Sequence, residues 1–283
     1  MPLKAWITRH SIFTYICLTL VWSFGIWSLL LLSIKPGGLL QDPPPISFLF
    51  VVLGGFGPSL SGLLTTWLVY GREGLHAIWA RVRHWRVGRW WLALLVIPAV
   101  TALTPLLRWV AGYPVDTGAM RNLLGPGIAL GLSAGLMEEF GWRGFLLPHL
   151  LKRYSPLVAT LWVGFIWGGV WHGYADYFAF GGRGAVTWVL IILLGPILLT
   201  AWAIIITWVY ARTQGSMLLA CLMHATISSS ALIFGQTYTT TAEEITWTAI
   251  SVGLAMLAAT VIWLGLRQRS FQPVGTVSET LSA

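Results

Sequence analysis

Apolar residues run through this chain in eight long blocks, at about 11–33, 46–70, 90–111, 123–149, 157–179, 187–210, 216–236 and 245–266, separated by short polar or proline-bearing breaks. A helix that crosses a bilayer needs roughly 20 mostly apolar residues. The pattern therefore predicts an all-α, polytopic membrane helix bundle of about eight transmembrane helices, since backbone polar groups must be satisfied inside each crossing segment. The short breaks predict one integral-membrane domain over 1–283, and the polar stretch 270–283 reads as a flexible tail. Between the second and third blocks, the segment "GREGLHAIWARVRHWRVGRWW" mixes Arg, Trp and Leu as a helix lying on the membrane surface does. Pro43, Pro44 and Pro45 predict an extended loop.

Composition sharpens this picture. The chain is 57% hydrophobic and 9% charged, with a mean hydropathy of +0.76. A soluble domain carries about 25% charged residues, so the solvent here is lipid and the bilayer is a partner. A net charge of +8 would point to nucleic acid in a soluble protein, but no phosphate loop or base-stacking segment is present and no nucleic-acid partner is expected. Placing the N-terminus in the cytoplasm puts Lys4, Arg9, Arg72, Arg81, Arg83, Arg86, Arg89, Lys152, Arg153, Arg212, Arg267 and Arg269 inside. Lys35, Arg108, Arg121 and Arg183 then lie outside and Arg143 within the membrane. The positive-inside rule favours this arrangement, with both termini cytoplasmic. The first block is too long for a signal-peptide core and no small-residue cleavage site follows it, so it is expected to remain. Cys17 and Cys221 fall in apolar blocks and read as small core residues. The expected location is a bacterial cell (plasma) membrane, crossed several times.

Against that apolar background, three blocks carry polar stations. The fourth reads "GPGIALGLSAGLMEEFGWRGFLLPHL". Each ionisable group at bilayer depth costs roughly 2.5 to 3.5 kcal/mol on insertion scales, so Glu138, Glu139 and Arg143 demand a reason. Gly127, Gly131 and Gly135 recur every four residues, a stripe that lets a neighbouring helix approach, and Glu139 and Arg143 continue it. The latter two are an i,i+4 pair in the favourable acid-first order and read as a buried brace. Glu138 points about 100° away on the helical period, with no local counter-charge, which makes it the candidate general base. In the fifth block Gly164, Gly168, His172 and Asp176 share one stripe, so a second close-packing seam leads to a histidine that can bond Asp176. In the seventh, His224 and Ser228 stand one turn apart. A carboxylate, two imidazoles and a hydroxyl on three helices form a hydrolytic constellation: a base for water, a group to hold that water or protonate the leaving amine, and donors for an oxyanion.

"EEFGWR" at Glu138 to Arg143, "WGGVWH" ending at His172 and "YARTQGSMLLACLMHATIS" from Tyr210 to Ser228 resemble the motifs of the CAAX prenyl protease type II and bacteriocin-processing family, also called Abi or CPBP. The motif-bearing core spans about 81–236. The resemblance implies an intramembrane, glutamate-dependent endopeptidase that hydrolyses a peptide bond near the C-terminus of a membrane peptide or lipidated protein. It implies that Glu138 activates water, Arg143 organises its motif, His172 assists the water and His224 helps form the oxyanion site. Two positions depart from the family pattern. Gly168 stands where an aromatic is usual four residues before the histidine, and Ser228 stands where the last motif has asparagine. No cofactor is expected. The alternative is zinc held by Glu138, His172 and His224, acceptable ligand types; but there is no H-E-x-x-H motif, and zinc would occupy the carboxylate needed as base. A different class of function also suits the cluster: a non-catalytic membrane scaffold or an ion- or proton-handling transporter. Such a transporter should show repeat symmetry, and none is visible in the sequence.

Overall fold

The computed structural model describes residues 2–31, 46–174, 176, 185–235 and 237–266, and all of their regular structure is helical. Lys35, the three prolines 43–45, Arg183, Arg267, Arg269 and the tail 270–283 lie outside the described residues. In chain order the helices are α1 (Leu3–Arg9), α2 (Ser11–Leu31), α3 (Ile46–Gly55), α4 (Gly57–Val82), α5 (Val96–Val110), α6 (Thr117–Asn122), α7 (Leu124–Gly141), α8 (Leu147–Leu151), α9 (Pro156–Gly164), α10 (Ala185–Arg212), α11 (Met217–Ile233) and α12 (Thr241–Leu266). A 3-10 segment, Gly88–Leu95, leads into α5. Two π-helical turns, Trp142–Leu146 and Phe165–Trp171, follow α7 and α9.

Among the described residues, five segments are long and apolar enough to cross a membrane: Ser11–Leu29, Leu49–Val82, Gly88–Val110, Ala185–Arg212 and Thr241–Gly265. The other three blocks of the sequence are helical but differ from plain spans. The fourth carries three charges and changes register at its π-turn. The fifth does so after Gly164, and the seventh is the shorter apolar helix Met217–Ile233. These three are the ones that carry the polar stations.

The second block extends further than its apolar pattern suggests. α4 continues to Val82 but breaks its direction at Gly71, whose φ of +67° is a left-handed conformation that glycine adopts without penalty. The basic segment expected on the membrane surface is helical beyond that kink only as far as Val82, and its end enters the 3-10 segment Gly88–Leu95. Arg81 in this segment is not a free surface charge, for it donates to the Tyr210 hydroxyl and the Gly144 carbonyl. Arg108, expected in an outer loop, is likewise only 1% exposed. It pairs with Glu243 at 2.9 Å and lies over the rings of Tyr113, Tyr238 and Trp247, fastening α5 to α12.

Both glycine stripes are packing seams. A Cβ on Gly131 would overlap the Ala225 carbonyl and the Ser229 hydroxyl, one on Gly135 the Cys221 carbonyl, and one on Gly127 would stand 2.7 Å from Ile233. The stripe of α7 therefore lies against α11, the helix that bears His224. Gly164 and Gly168 do the same against Thr200, Leu199 and Pro196 of α10. Gly62 brings α4 within 2.8 Å of the Gly141 backbone on the same measure. Around these contacts Trp142, Phe145, Leu146, Leu147, Trp167 and Ile205 form a fully buried core.

Candidate functional site

Backbone contact between α7 and α11 sets the site. With no side chains between them along the glycine stripe, the polar groups at the end of that stripe are brought into direct bonding range. Glu139 is fully buried and its Oε1 accepts from Arg143 Nη1 at 2.7 Å and pairs with His224 Nδ1 at 2.7 Å. The brace read from the sequence is present, and it holds a histidine as well. Oε2 of Glu139 and Nε of Arg143 are buried without a partner among the described residues.

Glu138 turns off the seam as its 100° offset requires, but it is not without partners. Its Oε2 accepts from the indole N–H of Trp142 at 3.1 Å and of Trp167 at 2.7 Å. Its Oε1 faces His224 Nε2 at 3.6 Å. One carboxylate oxygen is thus tethered by two neutral donors while the other looks toward an imidazole nitrogen. His224, 1% exposed, is suspended between the two glutamates. When Nδ1–H is donated to Glu139, Nε2 offers a lone pair in the neutral ring and a donor in the protonated one.

His172 stands at the margin. Its side chain is 24% exposed and its Nδ1 lies 3.1 Å from Asp176 Oδ1. It shares Trp167 with the buried cluster: that indole lies 5.8 Å from the His172 ring and 5.0 Å from the His224 ring, centroid to centroid, and 5.5 Å under the Arg143 guanidinium. Ser228 is half-buried, and its hydroxyl has no hydrogen-bond partner among the described residues.

Trp142 and Trp167 are the site residues that sequence reasoning missed. Trp142 was detectable as the i+4 neighbour of Glu138. Trp167 is placed by the π-turn Phe165–Trp171, across which the His172 amide bonds the carbonyl five residues back, at Trp167. An aromatic five residues before the histidine therefore stands one turn below it, where the motif comparison sought one at position 168. Gly168 cannot take that part, because its Cβ would lie 2.9 Å from Leu199.

Among the described residues no three His, Cys, Asp or Glu side chains are grouped to hold a metal ion. Nδ1 of His172 is engaged by Asp176, and that of His224 by Glu139, so Nε2 is the nitrogen each ring turns to any further partner.

The fold and the site together define a helical, multi-pass membrane protein with a buried Glu–His–Arg cluster held by indoles. Residues 120–230 match the family described as Type II CAAX prenyl endopeptidase Rce1-like. A curated relative, CAAX prenyl protease 2 of Methanococcus maripaludis, is 26% identical over 205 residues, covering 65% of this chain and 68% of the relative. Over these residues the chain is similar to the Rce1-like type II CAAX prenyl endopeptidases, a family of proteases.

Proposed function

We propose that this protein is an intramembrane, glutamate-dependent endopeptidase that cleaves near the C-terminus of a prenylated or otherwise membrane-anchored protein or peptide. The observation that carries this reading is the asymmetry of Glu138: Oε2 fixed by two indole N–H groups, Oε1 directed at His224 Nε2. A base held in one orientation loses little freedom on reaching the transition state.

In this mechanism Glu138 takes a proton from water as the water oxygen bonds to the scissile carbonyl carbon. The carbonyl electron pair moves to oxygen, and the oxyanion is met by the protonated Nε2 of His224, whose Nδ1–H rests on Glu139, and by the Ser228 hydroxyl. Collapse restores the carbonyl and breaks the C–N bond, and the amine nitrogen receives the proton held by Glu138. His172, oriented by Asp176, holds the water. Glu139 and Arg143 brace His224. No step passes through a metal.

In the membrane we place eight crossings with both termini cytoplasmic, which sets the helical arm of α4 and the turn after α8 on the cytoplasmic side. The test of the chemistry is Glu138→Gln in the purified protein with a prenylated C-terminal peptide. A general base contributes about 10²- to 10⁴-fold, so turnover should fall by at least about 100-fold while peptide binding persists. Wild-type turnover in that variant overturns the assignment, and ion flux through proteoliposomes without any cleavage would favour the transporter.

A further inference from the structure

We propose that Arg81 is a positioning residue of the Glu138–His224 site, acting through Tyr210 on the π-turn that carries Trp142 and Arg143. The inference rests on the peptidase reading above.

It begins with an accounting of backbone hydrogen bonds. The Leu147 amide bonds the Trp142 carbonyl, five residues back. That amide is the α-helical partner of the Arg143 carbonyl, which is thereby deprived of it. The next candidate, at π spacing, is residue 148, a proline with no N–H. The Arg143 carbonyl thus has no donor at either α or π spacing. The Gly144 carbonyl loses its α-helical donor to the same proline. Buried carbonyls must be paired somewhere, and both of these find partners far away in sequence. Tyr210 of α10 donates its hydroxyl to the Arg143 carbonyl at 2.9 Å, and Arg81 donates Nη2 to the Gly144 carbonyl at 3.1 Å. Nη1 of Arg81 donates to the Tyr210 oxygen and so orients that hydroxyl toward its acceptor.

The turn held in this way is the one that aims the site. Trp142 donates to Glu138, and Arg143 bonds Glu139, which bonds His224. The planar guanidinium serves two acceptors in fixed directions, which an ammonium cannot do. Arg81 touches no group of the hydrolytic centre, yet the direction of both site side chains on this turn depends on it.

Three variants test this: Arg81→Met, Tyr210→Phe and Pro148→Ala, with the kcat and KM of each for the same prenylated peptide. Arg81→Met and Tyr210→Phe should each lower kcat by about 10- to 100-fold, the scale of a misplacement of about 1 Å at a reacting group, with KM little changed. Their double variant should lose no more than the worse single one, because they act on one turn. Pro148→Ala supplies an N–H at residue 148 and should return activity to Tyr210→Phe. A role confined to stability would lower the yield of folded protein without changing kcat per folded molecule, and it would give no rescue. If Arg81→Met does not fold, the Tyr210→Phe and Pro148→Ala pair decides the matter. Unchanged kcat in both singles, additive losses, or no rescue overturns the inference. Loss in Glu138→Gln with full activity in these variants rejects the positioning role and spares the peptidase reading, whereas activity in Glu138→Gln rejects the reading itself.

Discussion

Two neighbouring glutamates are built to fail in different ways. Glu139 carries the cation of Arg143 and the ring of His224 in a site with no exposure. Removing its charge leaves a buried guanidinium without its counter-ion, a loss of about 3–5 kcal/mol for buried pairs. Glu139→Gln should therefore lower the unfolding temperature in detergent far more than Glu138→Gln, whose neutral indole donors can bond the amide oxygen. Equal melting shifts in the two variants would show that the brace is not where the stability lies. At this scale the sequence was informative about direction and poor about partners. The 100° between the two side chains, and the i,i+4 spacing of Glu139 with Arg143, follow from helical geometry. That an indole 29 residues further along bonds Glu138 does not, because apolar patterning counts tryptophan as a lipid-facing or core residue and hides its N–H.

Helices meet here through what is missing from their surfaces. A Cβ at Gly131 would overlap the backbone of α11, whereas one at Gly125, on the same helix, meets nothing within 4 Å. Gly131→Ala is expected to cost about 1–3 kcal/mol as an overpacked contact and to impair cleavage by separating Glu139 from His224. Gly125→Ala should be neutral or stabilising by up to about 1 kcal/mol, from glycine's poor helix propensity. Thermal unfolding of the two variants side by side checks this, and indistinguishable curves would remove the seam from the account of the site. The seams were legible because four-residue spacing of small residues has one geometric meaning. The π-turns were not, because reading a helix from its pattern assumes 3.6 residues per turn throughout. Pro148 was the available sign of trouble after Arg143, since it withholds a donor from the turn before it.

Across the described residues, the apolar pattern located all five segments long and apolar enough to cross a membrane, but charges were harder to place. Arg81 and Arg108, counted by sequence as loop cations, are both engaged inside the fold. Composition records how many charges a chain has, and only tertiary structure says which are spent on carbonyls, carboxylates and aromatic faces. The proposed orientation is tested by labelling single cysteines with an impermeant maleimide, in a background where Cys17 and Cys221 are replaced by serine. Arg153→Cys should react only from the cytoplasmic side and Pro114→Cys only from the opposite side; reaction of both from one side would refute eight crossings with cytoplasmic termini.

The π-turn before His172 also bears on how this chain is compared with others. Such a turn has the register of an α-helix carrying one extra residue, so positions on its two sides are counted on different scales. Laid without a gap against a straight helix, Gly168 falls opposite an aromatic and the segment looks degenerate. With a one-residue gap inside 165–171, Trp167 falls at the aromatic place. In this segment equivalence follows the rotation of the helix, and ordinal position misleads.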